Sequence, residues 1–162
     1  MNNPRQVPKP DRRNAQSGQA MIEFSLCFLL FLGTIVSFGQ MAMAVWIKTT
    51  LHHAVREGAR FAITGQTIGG AGQDSSIQQV VSRSTAGVLS AAQASSLVAI
   101  EFFDQAGAPT ASNAGGNTVV VSVRNYPMPM LVPAPVSYVK NAITVSAQAV
   151  ARLDPYTTAP AR

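Results

Sequence analysis

The sequence predicts an α+β protein: a long N-terminal transmembrane helix that continues into a small domain with one short helix and a three- to four-stranded antiparallel sheet. Three observations predict it. No charged residue lies between Glu23 and Lys48, and Phe24 to Phe38 is almost wholly apolar. Three later stretches, 97–103, 118–125 and 143–153, alternate apolar and polar residues at the period of a half-buried strand. The single cysteine, Cys27, sits inside the apolar run, so no intrachain disulfide can brace the domain and packing alone must hold it.

The uncharged run holds 24 residues, Phe24 to Ile47. As a helix it extends roughly 36 Å at ~1.5 Å per residue, enough to cross a hydrocarbon core of ~30 Å with some tilt. No other stretch of the sequence is long and apolar enough to do so. The 12 basic and 7 acidic residues are unevenly placed. Arg5, Lys9, Arg12 and Arg13, offset by Asp11, precede the run, whereas Lys48 alone follows it closely. The high pI is therefore a basic flank and not a nucleic-acid surface. By the positive-inside rule the N-terminus lies in the cytoplasm and the C-terminal domain outside the membrane.

Residues 1–18 are polar, contain three prolines and show no apolar period, so they read as an unstructured basic leader. Ala42-Met43-Ala44 has the form of a signal-peptidase site, but the uncharged run is longer than a usual signal core. Glu23 is the residue that asks for an explanation, because a carboxylate at the mouth of a span is unfavourable. Two readings stand. It can lie at headgroup level, solvated beside Arg12 and Arg13. Alternatively, a cut after Gly18 frees an α-ammonium on Gln19, and Glu23 of one subunit neutralises that charge on a neighbour.

A basic leader ending in Gly18, followed by Gln19-Ala20-Met21-Ile22-Glu23-Phe24 and an apolar helix, resembles a type IV prepilin processing site, with Gly18 at −1, Glu23 at +5 and Phe24 at +6. Shortly after the span the chain reads Ala54-Val55-Arg56-Glu57-Gly58-Ala59-Arg60-Phe61-Ala62. The two motifs together resemble the TadE-like family, minor pilins or pseudopilins of the tight-adherence (Tad/Flp) pilus. The resemblance covers residues 18–65 well. It implies processing at Gly18 and Gln19 by a prepilin peptidase, subunit pairing through Glu23 and Phe24, and a pilin-like exported domain. The partners it implies are membrane lipid, the major pilin, other minor pilins and the pilus assembly platform of the inner (cytoplasmic) membrane.

Beyond the span, Leu51, Val55, Ala59 and Ala62/Ile63 recur on one helix face, so 19–64 is expected as a single helix whose outer half is amphipathic. Arg56 and Arg60 fall on another face, with Glu57 in ion-pair reach of Arg60. Gly58 costs about 1 kcal/mol in a helix relative to alanine, which predicts close packing against its backbone. His52 and His53 are adjacent and point apart, so no metal site is expected. Gly33 and Ser37 form a small-xxx-small pair, a weak signal for helix contact.

Residues 65–74 are expected as a glycine-rich hinge; they lack the ending of a phosphate loop. Ser75 and Gln78 have capping-box spacing for a helix continuing to about Leu89, and the helix-plus-sheet domain is expected over 75–153. The loop Asp104–Asn117 reads as a flexible hairpin connection. Tyr126–Pro135 carries four prolines among apolar residues, and Tyr126, Met128, Met130 and Leu131 are a candidate interaction loop; the alternative is that this segment folds back on its own helix or sheet. Residues 154–162 are expected as a disordered tail.

No catalytic residue, metal ligand or cofactor is expected, and an enzyme is not. Three functional readings remain: a processed minor pilin, an uncleaved signal-anchored envelope protein whose β-rich domain is a binding or adhesion module, and a soluble protein released after Ala44.

Overall fold

The computed structural model describes residues 12–130, 144–155 and 159–162, the side chains of 12–17 excepted. The elements in chain order are α1 (Arg12–Ile63), α2 (Gln73–Ser84), α3 (Ala91–Leu97), β1 (Val98–Phe103), β2 (Pro109–Thr110), β3 (Thr118–Pro127) and β4 (Thr144–Arg152). The fold class is α+β, as the sequence predicts. Residues 1–39 and 40–162 are separate compact units joined by the unbroken helix α1.

In the first unit, α1 begins at Arg12, which corrects the expectation of an unstructured leader up to residue 18. Helix nucleation is the costly step, and extension adds one hydrogen bond per residue fixed. An apolar helix that is already formed can therefore carry its ladder back through Arg12–Gly18. The apolar side chains from Met21 to Phe38 are exposed, Val36 alone being half-buried. The hydroxyls of Ser25, Thr34 and Ser37 each donate to the carbonyl four residues earlier, at 2.8 Å. No donor among these hydroxyls is left needing water, which suits a helix in hydrocarbon.

In the second unit the sheet order is β2-β1-β3-β4, all pairs antiparallel. Val119, Val121 and Val123 of β3 and Val145 and Ala147 of β4 are buried on one face. The core is completed by Ile47, Leu51, Ala54, Val55, Ala59 and Ala62 of α1 and by Ile77 and Val81 of α2. The stripe read from sequence beyond the span is therefore the face that enters the core.

The structure differs from the sequence reading in several places. The short helix starts at Gln73 and stops at Ser84, because Ala86 (φ 50°) and Gly87 (φ 88°) adopt left-handed backbone. A second short helix, α3, follows, and the capping box belongs to it: Gln93 N donates to Ser90 Oγ at 3.3 Å and Ser90 N to Gln93 Oε1 at 3.1 Å. Ser75 does not cap; its hydroxyl donates to Gly72 O at 2.8 Å. Part of the Asp104–Asn117 loop is strand β2, paired with β1 at Phe102–Thr110 and Phe103–Pro109. Asp104 Oδ1 shapes that turn by accepting from Ala106 N (2.9 Å) and Ala108 N (2.8 Å).

β3 extends to Pro127 through a bulge between Val123 and Tyr126. Asn125 supplies the left-handed residue there (φ 53°), so Arg124 and Asn125 both face outward and Tyr126 turns back to the core.

The residues after β4 also differ from expectation. Among the described residues 159–162, the tail is docked. Gln73 N donates to Ala161 O at 2.7 Å and Asn113 Nδ2 to Pro160 O at 2.9 Å. Arg162 pairs with Asp74 at 2.8 Å, donates to Ala111 O, and lies 4.7 Å from the centre of the Phe102 ring. The expected disorder was a judgement on composition, and the partners that hold this segment are remote in sequence.

The glycine-rich connection after α1 is likewise tied down. Gly65 (φ 63°) ends the helix. Ile68 N donates to Ser76 Oγ at 2.9 Å, and the buried Gln73 donates to Ala62 O at 3.2 Å and accepts from Asn113 Nδ2 at 2.6 Å.

Candidate functional site

Two stretches of α1 carry the residues that the sequence singles out. In the first unit, Gly18 and Gln19 lie within continuous helix. Nothing approaches within 4 Å of where a Gly18 side chain would begin. Gln19 Nε2 donates to Glu23 Oε1 at 3.0 Å, one helical turn on. The carboxylate is exposed and makes no ion pair among the described residues. It is held by one neutral amide, which leaves carboxylate lone pairs open. Phe24 stacks on Phe28, ring centres 6.1 Å apart and planes at 15°. Around Glu23, Met21, Ile22, Phe24 and Leu26 are exposed, so a single anionic group sits on an apolar surface.

In the second unit the stretch 54–62 divides by face. Ala54, Val55, Gly58, Ala59 and Ala62 are buried, while Arg56 and Arg60 are exposed. A β-carbon on Gly58 would lie 2.5 Å from Val81 Cγ2, 3.5 Å from Ile77 Cγ2 and 3.6 Å from Val121 Cγ1. Helices α1 and α2 and the sheet thus meet where only a hydrogen fits. Arg60 Nη1 reaches Glu57 Oε1 at 3.3 Å, a solvent-facing pair.

Residues 18–60 match the family model of TadE-like proteins. Over this stretch the chain is similar to TadE-like proteins, and the match takes in the residues around Glu23 and the second stretch as far as Arg60. No curated protein and no solved structure matches the chain.

The remaining candidates fall as follows. Tyr126 and Met128 are core residues and not a surface loop: both are buried, and the Tyr126 hydroxyl donates to Val88 O at 2.8 Å. Burial raises the Tyr126 pKa above its ordinary value of 10.0. Met130 is half-buried, and Leu131 lies outside the described residues. His52 lines an open cavity of about 340 Å³ with Ser122, Arg124, Ser146 and Gln148. Among the described residues no carboxylate lines it, so they offer no acid–base pair there, and Arg124 is held by Glu101 at 2.8 Å. Sequence reasoning missed Gln40, Gln73, Asn113 and Arg162. Gln40 could have been flagged as an amide inside an apolar run; the other three are ordinary polar residues whose partners only the fold brings near.

Proposed function

We propose that the chain is a minor pilin, or pseudopilin, of a Tad/Flp-type pilus, trimmed after Gly18 by a prepilin peptidase and acting in pilus initiation or at the tip. The observation that carries this reading is Glu23: an exposed carboxylate on an apolar helix, five residues after the glycine of a prepilin-type junction, with a neutral amide as its hydrogen-bond partner. In hydrocarbon such a group is unfavourable until a cation meets it. Cleavage supplies that cation as the α-ammonium of Gln19 on a neighbouring subunit, which makes processing a precondition of lateral packing. Membrane lipid, the major pilin, other minor pilins and the assembly platform are the partners. The orientation is N-terminus in the cytoplasm and domain outside the inner membrane.

Two features support this reading over its rivals. A cut after Ala44 would remove Met43 and Ala44, which pack against the core of the folded unit. Burial of Tyr126 and Met128 weakens a binding module built on that loop. The test is the mature N-terminus by mass spectrometry, expected at Gln19; Met1 or Val45 would overturn the proposal. Replacing Glu23→Ala should leave membrane insertion intact and reduce piliation, and equal piliation would exclude the charge-pairing role.

A further inference from the structure

The second unit starts inside the uncharged run. Gln40 Nε2 donates to Pro129 O at 3.3 Å, so the end of β3 is fastened to α1 at Gln40. Lys48, the first charge after the run, lies eight residues further on, about 12 Å along the helix axis at ~1.5 Å per residue. A helical span that starts at Phe24, directly after Glu23, uses about 20 residues for the hydrocarbon core and so ends near Met43. Gln40 falls before that point. On the helix between them and Lys48, Met41 (68% exposed), Val45 (57%) and Trp46 (53%) are uncovered, while Met43, Ala44 and Ile47 pack against the domain. This part of α1 therefore has protein on one side and an apolar, open surface on the other.

From these positions we infer that the turn Met128–Met130 sits in the outer interfacial layer of the bilayer, as a second membrane contact beside the span. The inference rests on the membrane anchoring of α1. Its occupant is lipid because Met41, Val45 and Trp46 are exposed apolar residues of the same uncharged run and lie where a span of this length ends. The chemistry of the turn agrees. An amide in the apolar run needs a partner away from water, and the Pro129 carbonyl accepts from Gln40. Irregular backbone is costly at this depth because its N–H groups lack acceptors, and Pro127 and Pro129 carry no N–H. No charged residue occurs between Arg124 and Lys140. Trp46, six residues beyond Gln40 on the same helix and exposed, is the residue type that favours this layer.

The test uses the full chain in phosphatidylcholine–phosphatidylglycerol vesicles, with Cys27→Ser to clear the native thiol. A polarity-sensitive fluorophore is attached through Met130→Cys, Ile35→Cys or Ala106→Cys. Ala106 is exposed in the β1–β2 turn, at the opposite end of the sheet from Tyr126. Position 130 should be quenched severalfold more by headgroup-level nitroxide lipid than position 106, and severalfold less by aqueous iodide. Water access at 130 like that at 106, with 35 quenched by lipid, would overturn the second contact and leave the anchoring intact. Shielding of 130 from both quenchers would overturn it in favour of a protein neighbour. Water access at 35 would overturn the anchoring itself. Should labelling at 130 disturb folding, the exposed neighbouring position carries the same fluorophore through Pro129→Cys, with the same expected result and the same results that would overturn the inference.

Discussion

Gly58 is the position where the packing argument is most exposed to refutation. In Gly58→Ala, the added methyl would sit 2.5 Å from Val81 Cγ2, more than an ångström inside the usual methyl separation. Val81 is fully buried and β-branched, so it has little rotamer freedom with which to retreat. Overpacking of this kind costs about 1–3 kcal/mol, and the closeness of the contact argues for the upper half of that range. Against it, alanine gains about 1 kcal/mol over glycine in a helix interior. The net is a loss of about 1–2 kcal/mol, or roughly 4–10 °C in Tm for a unit of this size. The assay is thermal unfolding of the full chain in detergent, followed by circular dichroism with Arg60→Ala as the surface control. Adding Val81→Ala should recover part of the loss, with a coupling of at least about 1 kcal/mol. A rise in Tm for Gly58→Ala would mean that helix preference outweighs crowding and that the three elements do not meet there.

Three other outcomes follow from the same packing. Tyr126 has a raised pKa through burial, so its contribution to stability is whole below pH 10 and is lost as pH rises through the folded value. Tyr126→Phe should flatten that alkaline slope and cost about 1 kcal/mol at neutral pH through the lost bond to Val88 O, read by urea unfolding at a series of pH values. Arg162→Ala should cost about 1 kcal/mol, since its pair with Asp74 is roughly one-third exposed and partly screened. The effect should shrink in high salt and appear in hydrogen exchange as faster exchange at Gln73 N. The fragment 66–162 should show no sharp thermal transition: it lacks Ile47, Leu51 and Val55, three side chains worth roughly 4.5–9 kcal/mol of burial at ~1.5–3 kcal/mol each, against a total stability of about 5–15 kcal/mol.

The features legible in the sequence were those written as local periods. The uncharged run, the stripe Leu51–Val55–Ala59–Ala62 and the alternation of β3 and β4 each need only neighbours in the chain to be recognised. Gly58 was legible too, because a glycine inside a helix calls for a reason. The features that were not legible depend on partners far apart in sequence. Gln73 meets Ala62 and Asn113, and Arg162 meets Asp74 and Phe102. Ala91–Leu97 was missed for a different reason: its single buried residue, Ala94, leaves no stripe to read, and its start is fixed by the Ser90–Gln93 capping box. Tyr126 was assigned to a loop because prolines follow it, and one bulge at Asn125 is enough to return it to the core.

One helix here carries two kinds of surface, and the change between them has a consequence for assembly. From Leu51 outward its apolar face is covered by the chain's own sheet and α2, so that half needs no partner. From Met21 to Phe38 its side chains are exposed, Val36 alone being half-buried. Each large side chain among them is worth about 1.5–3 kcal/mol when removed from water. The segment can therefore leave the bilayer only if an equally apolar surface replaces lipid as it leaves. Glu23 is the exception on that surface, since moving it from a headgroup region into a packed bundle is favourable only if a cation awaits it. A surface that is apolar except at one acid accepts many helices poorly and one kind well: an apolar helix that carries a positive charge at the matching level. On the proposed reading, a copy cut after Gly18 would meet that requirement with its free Gln19 amine, whereas an uncut one, with the junction still a neutral amide, would not.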